Sequence, residues 1–354
     1  MSHIWVPKKK IIEVHLPTMC SYMDGDFVLE AYQCREMADG RSIEIPGTRK
    51  SYPRSDNIIL DQALEWYGGT TPNGQGQMYR CHVGTGSSTE QATDTALFEW
   101  VAAVNNDTAY NSWWAQGSPP YYGARRWKYR FSPNFGGGNI NIQEIGVGAG
   151  NTMALQYLSA RALTKDGGGT PTPVPVLATE YLDAYYTRRN YPGHITEGTG
   201  VPVDLTGTID IAGTSYGYTM RPALVTQSAW GNQIDLPLGD NNNFTPGGGF
   251  GGGAVCYGPA ATLGTVTQSL SAAESAGNFY TGNTRGGTYI PFSHQREIIY
   301  WFDLDQGNIS SGGFNGILVT STMGAYQILL DAQVPKDNTK LFEFYHNWSW
   351  ARHA

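Results

Sequence analysis

Short runs of alternating apolar and polar residues, closed by glycines, recur along this chain, which is the pattern of strands with one buried face. Four follow one another within residues 126–189, at 126–131, 139–148, 158–163 and 180–189. Gly136-Gly137-Gly138 and Gly167-Gly168-Gly169 mark two of the turns between them. Such an order predicts a small antiparallel β-sandwich, jelly-roll-like, and not a catalytic scaffold.

A second set of strands is predicted at 297–302, 316–321, 326–332 and 341–350. In the last of these, Phe342, Phe344, His346, Trp348 and Trp350 share one face, while Glu343, Asn347 and Ser349 lie on the other. One wall is therefore buried and the other is wet or meets a partner. The two sets line up in order: 127–131 with 298–302, 142–147 with 317–321, 155–158 with 327–330, and 182–189 with 341–348. Duplication of one unit would leave such an order, and so would chance at this level of similarity.

The N-terminal stretch mixes patterns. Strands are expected at 11–16, 27–34, 42–45 and 78–83. A helix is expected at 57–67, where Ile59, Leu60, Ala63, Leu64 and Tyr67 recur at helical spacing, Asp56 is a candidate N-cap and Gly68-Gly69 a stop. Leu97, Trp100, Val101 and Val104 predict a second helix over 93–104. The organisation read from these patterns is an α+β region at 1–120 for attachment or assembly, a β-sandwich unit at 121–195, a Gly/Thr/Asn-rich loop region at 196–290 and a C-terminal β unit at 291–354. Asp240-Asn241-Asn242-Asn243-Phe244-Thr245-Pro246 runs into the glycines of 247–253, a stretch expected to order only against a neighbour. The fold class is thus mainly β, with antiparallel sandwich units whose order fits a duplication and one or two short helices near the N-terminus.

Composition narrows the function classes. The 354 residues include 45 Gly, 19 Pro, 22 Tyr and 10 Trp, which suits a loop-rich β protein better than a helical bundle. Hydrophobic residues at 40% suffice to build cores, whereas charged residues at 15% leave a weakly solvated surface for subunits to cover. A net charge of −7 argues against nonspecific nucleic-acid binding, and the run Lys8-Lys9-Lys10 reads as a solvated strand end. Cys20, Cys34, Cys81 and Cys256 share no C-x-x-C spacing, so buried free thiols in a reducing cytoplasm are expected in place of zinc, redox or disulfide sites. Neither a signal-peptide pattern at the N-terminus nor an apolar run near the ~20 residues of a membrane span occurs, so no membrane insertion is expected.

Six motifs carry a resemblance. They are Asp26-Phe27-Val28-Leu29-Glu30-Ala31, Asn57-Ile58-Ile59-Leu60-Asp61-Gln62-Ala63-Leu64, Cys81-His82-Val83-Gly84-Thr85-Gly86, Thr93-Asp94-Thr95-Ala96-Leu97, Ile142-Gln143-Glu144-Ile145-Gly146-Val147-Gly148, and Ser159-Ala160-Arg161-Ala162-Leu163 with Leu182-Asp183-Ala184-Tyr185 after it. In this order they resemble the tail and tail-fibre-type virion structural proteins of tailed bacteriophages over about residues 25–190, and again at Val334-Pro335-Lys336 and Trp348-Ser349-Trp350-Ala351-Arg352. Ala63 stands where that family has glycine, and Ala160 separates Ser159 from Arg161. The resemblance implies a structural role at the tail, collar or fibre attachment point, in the virion, with no catalytic residue to carry over.

Motifs of enzymes and metal sites compete poorly. Gly213-Thr214-Ser215-Tyr216-Gly217 fits the nucleophile elbow, with Asp303 and His346 as nominal partners, but the β-prone Tyr218-Thr219-Met220-Arg221-Pro222 follows where a helix is needed. Gly146-Val147-Gly148-Ala149-Gly150 reads as a glycine-rich strand exit, not a dinucleotide loop. Asp303-Leu304-Asp305-Gln306-Gly307-Asn308 reads as a hairpin turn, lacking the full ligand set of a calcium loop. His82 and His346 fall in strand patterns and are expected in the core or at its rim. Trp113, Trp114, Tyr121 and Tyr122, around Pro119-Pro120, are the candidate contact residues, for a subunit first and a glycan second.

The expectation drawn together is a non-enzymatic component of a tailed-phage virion, assembled in the bacterial cytoplasm. It would form a homo-oligomer, bind other virion proteins of the tail, collar or fibre, and use no cofactor, metal or nucleic acid. A protein that binds or depolymerises host-surface glycans, and a capsid decoration protein, are the alternatives.

Overall fold

A computed structural model describes residues 10–68, 77–107, 112–150, 152–153, 156–194, 196, 201–223, 252–273, 275–278, 284–321 and 324–353. The N-terminal elements are β1 (Lys10–His15), the long β2 (Met19–Glu36), β3 (Ser42–Glu44), β4 (Lys50–Ser51), β5 (Ser55–Asp56), β6 (Ile58–Ile59), α1 (Asp61–Gly68), β7 (Arg80–Gly84), β8 (Trp100–Asn105) and β9 (Ser112–Gln116). The middle holds β10 (Tyr122–Phe131), β11 (Ile140–Ile142), β12 (Glu144–Gly148), β13 (Leu158–Leu163), β14 (Val174–Val176) and β15 (Glu180–Pro192). Then come β16 (Leu205–Ile211), β17 (Thr214–Pro222), β18 (Gly252–Tyr257), β19 (Ser275–Asn278), β20 (Thr284–Gly286), β21 (Gln295–Phe302), β22 (Gly313–Ser321), β23 (Gly324–Pro335) and β24 (Lys340–Arg352). The protein is mainly β, with several antiparallel sheets, and α1 is the one helix among the described residues.

One wide sheet organises the rest, in the order β20-β21-β24-β2-β15-β10-β9, with β1 along β24 and β3, β4 and β5 along β2. Its strands come from all along the chain: β2 pairs antiparallel with β15 over Ser21–Gln33 and parallel with β24 over Met19–Met23. Two smaller sheets, β6-β13-β12-β7-β8 and β16-β17-β23-β22-β18-β19, pack on the same face of the wide one. The alternation explains which face. Met19, Met23, Phe27, Leu29 and Ala31 of β2, Leu182, Ala184 and Tyr186 of β15, and Phe342, Phe344, Trp348 and Trp350 of β24 are all buried. Hydrogen bonds cross that core at both ends: Tyr129 hydroxyl to the Met78 carbonyl at 2.8 Å, and Tyr300 hydroxyl to the Thr320 carbonyl at 2.9 Å.

The two predicted strand sets share one plan. β10 and β15 pair in the wide sheet while β12 and β13, between them in sequence, pair in a small one. β21 and β24 pair in the wide sheet while β22 and β23 pair in the other small one. The register differs from the expected match at the fourth strand. Aligning 182–189 with 341–348 puts Tyr186 against Tyr345, yet Tyr186 points into the core opposite Trp127, and Tyr345 points outward and stacks on His15 at 5.0 Å. A one-residue shift, Tyr186 with His346, restores the face.

Three expectations are corrected. The helix at 57–67 begins only at Asp61, because Asp56 pairs with Asp26 of β2 and Ile58–Ile59 pair with β13, so neither end is free to cap. The helix at 93–104 does not form: Leu97, Phe98 and Glu99 donate their amides to Gln156 and Glu144, and Trp100–Asn105 pair with β7. The stretch 196–290, expected as a loop region with one strand at 203–211, contributes five strands, β16 to β20, the first of them at that place. Residues 240–246 and 247–251, read as an arm ordered on assembly, lie outside the described residues, and Gly252-Gly253 open β18.

Candidate functional site

Four of the motifs that carry the resemblance, 81–86, 93–97, 142–148 and 159–163, meet in one buried polar cluster. Glu144, fully enclosed at the start of β12, accepts amide hydrogens from Gly86 at 3.2 Å, Phe98 at 3.1 Å and Glu99 at 2.7 Å. Arg161 of β13 adds Nη2 to the same carboxylate at 2.9 Å, and reaches Asp94 with Nη1 at 2.7 Å and the Ser88 carbonyl with Nη2 at 2.7 Å. Its guanidinium also lies over the Phe98 ring at 4.8 Å. A Cβ on Gly84 would come within 2.6 Å of Glu144 Oε1, and one on Gly86 within 2.5 Å, so both glycines of the 81–86 motif give the carboxylate its room. Both Glu144 oxygens and all three guanidinium nitrogens of Arg161 are committed within the fold, so the cluster fixes the segment 85–99.

The opposite, outer face of the wide sheet is built from tyrosines and paired charges. Asp183 accepts from Arg130 Nε at 2.8 Å and the Tyr32 hydroxyl at 3.1 Å, and pairs with Lys128 Nζ at 3.0 Å. Burial pushes its carboxyl up, and the Arg130 and Lys128 bonds outweigh that and hold it below the usual carboxylate range. Arg49 crosses the Tyr32 ring at 4.2 Å and pairs with Glu30 and Glu44. Farther along β15, Arg189 pairs with Asp24 at 3.1 Å and with Asp26, and the Tyr191 hydroxyl donates to Asp24 at 2.8 Å.

Two of the four predicted contact residues, Trp114 and Tyr122, sit at one border of this face. Trp114 of the edge strand β9 pairs with Ala124, which places it on the same face as Tyr122 and Arg126, and Arg126 lies over its ring at 5.5 Å. Tyr122 meets the Tyr191 ring edge-on at 5.4 Å, Arg189 lies over it at 5.7 Å, and Tyr191 stacks on His353 at 3.9 Å. Trp114, Tyr121 and Tyr122 are half-buried, and Trp113 pairs with Arg125 in the strand register. Arg126, Arg189, Tyr191 and His353 belong to the same strip. Arg126 lies beside Tyr122 on β10, whereas β15 and the residue after β24 bring Arg189, Tyr191 and His353 there from far along the chain, beyond the reach of sequence reading.

The other motifs separate. Ser215 is exposed two residues after the Ala212-Gly213 hairpin turn, where both φ angles are positive, and β17 runs straight on as a strand. His346 is enclosed between Tyr300, stacked at 5.3 Å, and Trp348 at 6.1 Å, and neither ring nitrogen has a hydrogen-bond partner among the described residues. The nominal triad is therefore not assembled. In the 303–308 turn the buried Lys336 ammonium bonds the Asp303 carbonyl at 3.2 Å and Asn308 Oδ1 at 2.9 Å, so a lysine holds the position a metal would need. His82 is buried in β7 and accepts from Trp100 Nε1 at 3.3 Å. Of the cysteines, Cys81 and Cys256 are buried as expected, whereas Cys20 and Cys34 are only half-buried, and all four are free thiols. No helix among the described residues is long and apolar enough to cross a membrane.

No protein-family model, curated protein or solved structure matches this chain.

Proposed function

We propose that this chain is a non-enzymatic structural component of a tailed-phage virion, placed at the tail, collar or fibre attachment point and assembling with copies of itself and with other virion proteins. The observation that carries the reading is the outer face of the wide sheet. Tyrosines and Trp114 stand there among arginines, of which Arg49, Arg130 and Arg189 are already paired with carboxylates. Protein contact surfaces are enriched in Tyr, Trp and Arg, whose broad rings and planar guanidinium bury much area at low entropy cost. A face of paired charges also avoids the desolvation penalty of burying bare ions against a partner.

The test is mass and partnership. The reading expects native mass spectrometry to give a multimer and the protein to co-sediment with purified phage particles or tail assemblies. A strict monomer that never joins particles overturns it. A second reading, a host-surface glycan contact, is favoured by Trp114 and Tyr122 flanking Arg126 on one edge, since aromatic faces stack on sugar rings. Glycan-array binding lost on Trp114→Ala would support that reading instead.

A further inference from the structure

Arg188 of β15 is wholly buried on the inner face of the wide sheet, and no carboxylate pairs with it among the described residues. Its guanidinium meets neutral groups: Nη1 donates to Gln77 Oε1 at 3.2 Å, Nη2 lies against the Met23 sulfur, and the central carbon stands over the Tyr67 ring at 4.8 Å. Asp24 and Asp26, on the neighbouring β2, point to the outer face and pair with Arg189. Directly across on β10 stands Arg125, half-buried on the same face. The register thus sets two positive charges opposite each other, an arrangement that disfavours the pairing.

The other buried cations differ. Arg161 pairs with Glu144 and Asp94, and Lys128 pairs with Asp183. Arg296 donates to the Gly287 and Gly68 carbonyls, and Lys336 to those of Asp303 and Asp337. Arg188 has the one amide oxygen of Gln77 to set against a full charge.

Polar atoms without partners gather beside it. Gly25 stands across from Arg188 on β2, and a Cβ there would come within 2.7 Å of Asn57 Oδ1 and 2.8 Å of the Tyr186 hydroxyl. Glycine therefore leaves both groups their places next to the guanidinium. Both ends of the Asn57 amide, the Tyr186 hydroxyl and Arg188 Nε are enclosed, and none has a hydrogen-bond partner among the described residues. The Tyr186 ring stacks on Trp127 at 6.0 Å, and Trp127 Nε1 is enclosed and unpartnered as well. Buried polar groups are ordinarily hydrogen-bonded, and buried charges are ordinarily neutralised. A water molecule would answer the first need and leave the charge bare. An anion answers both.

We propose that Arg188, with the Tyr186 hydroxyl and the Asn57 amide, forms a buried binding site for one small monovalent inorganic anion of the halide class. Trp127, Tyr186 and Arg188 are closed to solvent, so the ligand is compact. The groups that face it are N–H and O–H donors around one fully buried guanidinium, so a single negative charge suffices. An ion this deep is taken up as the sheets close, and it stabilises the folded chain by mass action.

The experiment follows urea unfolding of the full chain at constant sodium concentration while bromide replaces gluconate, an anion too bulky for the core. The apparent unfolding constant of the native chain is expected to fall with bromide, approaching about tenfold for each tenfold rise in concentration once the site is mostly filled. Arg188→Met is expected to lose that dependence and, in gluconate alone, to keep a urea midpoint no lower than the native one, since an apolar chain replaces a bare buried ion. Tyr186→Phe keeps the ring stack and removes one donor, so it is expected to need about tenfold more bromide for the same effect. A native chain indifferent to bromide, or a response shared equally by the native and Arg188→Met chains, overturns the proposal. Should Arg188→Met fail to fold, the native titration and Tyr186→Phe decide: a bromide response that is absent, or equal in the two, overturns it.

Discussion

Arg161 and Glu144 face each other diagonally across β12 and β13, with Nη2 and Nε both on Oε2, at 2.9 and 3.2 Å. Both side chains are wholly buried. The pair is the hub to which the 81–86, 93–97, 142–148 and 159–163 motifs converge. Removing one member strands the others, because Glu144 then keeps its charge without a counterion and Asp94 loses its partner. Such uncompensated burial costs about 3–5 kcal/mol. Arg161→Met is expected to lower the urea midpoint accordingly, and Arg161→Lys to recover little, since an ammonium does not span Glu144, Asp94 and the Ser88 carbonyl together. Equilibrium unfolding followed by tryptophan fluorescence checks both.

Gly86→Ala tests the same hub from its other side. The new methyl would stand 2.5 Å from Glu144 Oε1, and the carboxylate can yield only by releasing amides of the 98–99 segment. A loss of roughly 1–3 kcal/mol is expected, as for other overpacked interiors. In a double-mutant cycle with Glu144→Gln the two losses are expected to be non-additive by at least about 0.5 kcal/mol, since they act on one contact. Simple addition would mean that the methyl is accommodated elsewhere.

His346 predicts an acid limb of stability. Burial among Tyr300 and Trp348 lowers it to about 3, and burial with nearby Arg80 lowers His82 to about 4. A histidine whose folded value is depressed takes up its proton in the unfolded chain first. Each therefore withdraws stability as pH falls from about 6.5 toward its folded value, by roughly 1.4 kcal/mol per unit, and contributes no slope above that range. His346→Phe keeps the stacking and has no proton to bind, so the fall in unfolding free energy between about pH 6 and 4 is expected to become shallower. Chemical denaturation at fixed pH steps measures it, and an unchanged slope would refute the assignment.

Much of the wide sheet was legible because its strands obey a period of two: the inner face of β24 was read residue by residue, and Phe342, Phe344, Trp348 and Trp350 are indeed buried. What stayed hidden was decided by distant partners. The apolar spacing of Leu97, Trp100, Val101 and Val104 is compatible with a helix until Glu144 and Gln156 capture the 97–99 amides. Of the strands within 196–290, β18 and β19 carry several glycines and little alternation, and β18 is placed by its pairing with β22. Trp114 and Tyr122 were visible as aromatics near each other in sequence. Arg189, Tyr191 and His353 join them through pairings more than sixty residues long, which no local pattern encodes.

A last prediction concerns the turn at 289–294, where the proposed assembly role meets a rigid apolar tip. Glu65 of α1 accepts the Tyr289 hydroxyl at 2.9 Å and the Phe292 amide at 3.0 Å, and pairs with His294 Nε2 at 3.0 Å. Those bonds hold Phe292 and His294 at positive φ and leave Phe292 81% and Ile290 68% exposed. A large apolar side chain held in water by three anchoring bonds does nothing for the isolated fold, and it suits a surface that another protein covers. Phe292→Ser is therefore expected to leave the unfolding free energy within about 0.5 kcal/mol of native while weakening co-sedimentation with particles. Glu65→Ala is expected to do both, losing stability and assembly together, because it releases the turn. If Phe292→Ser instead destabilised the free protein and left assembly intact, the tip would be serving the fold.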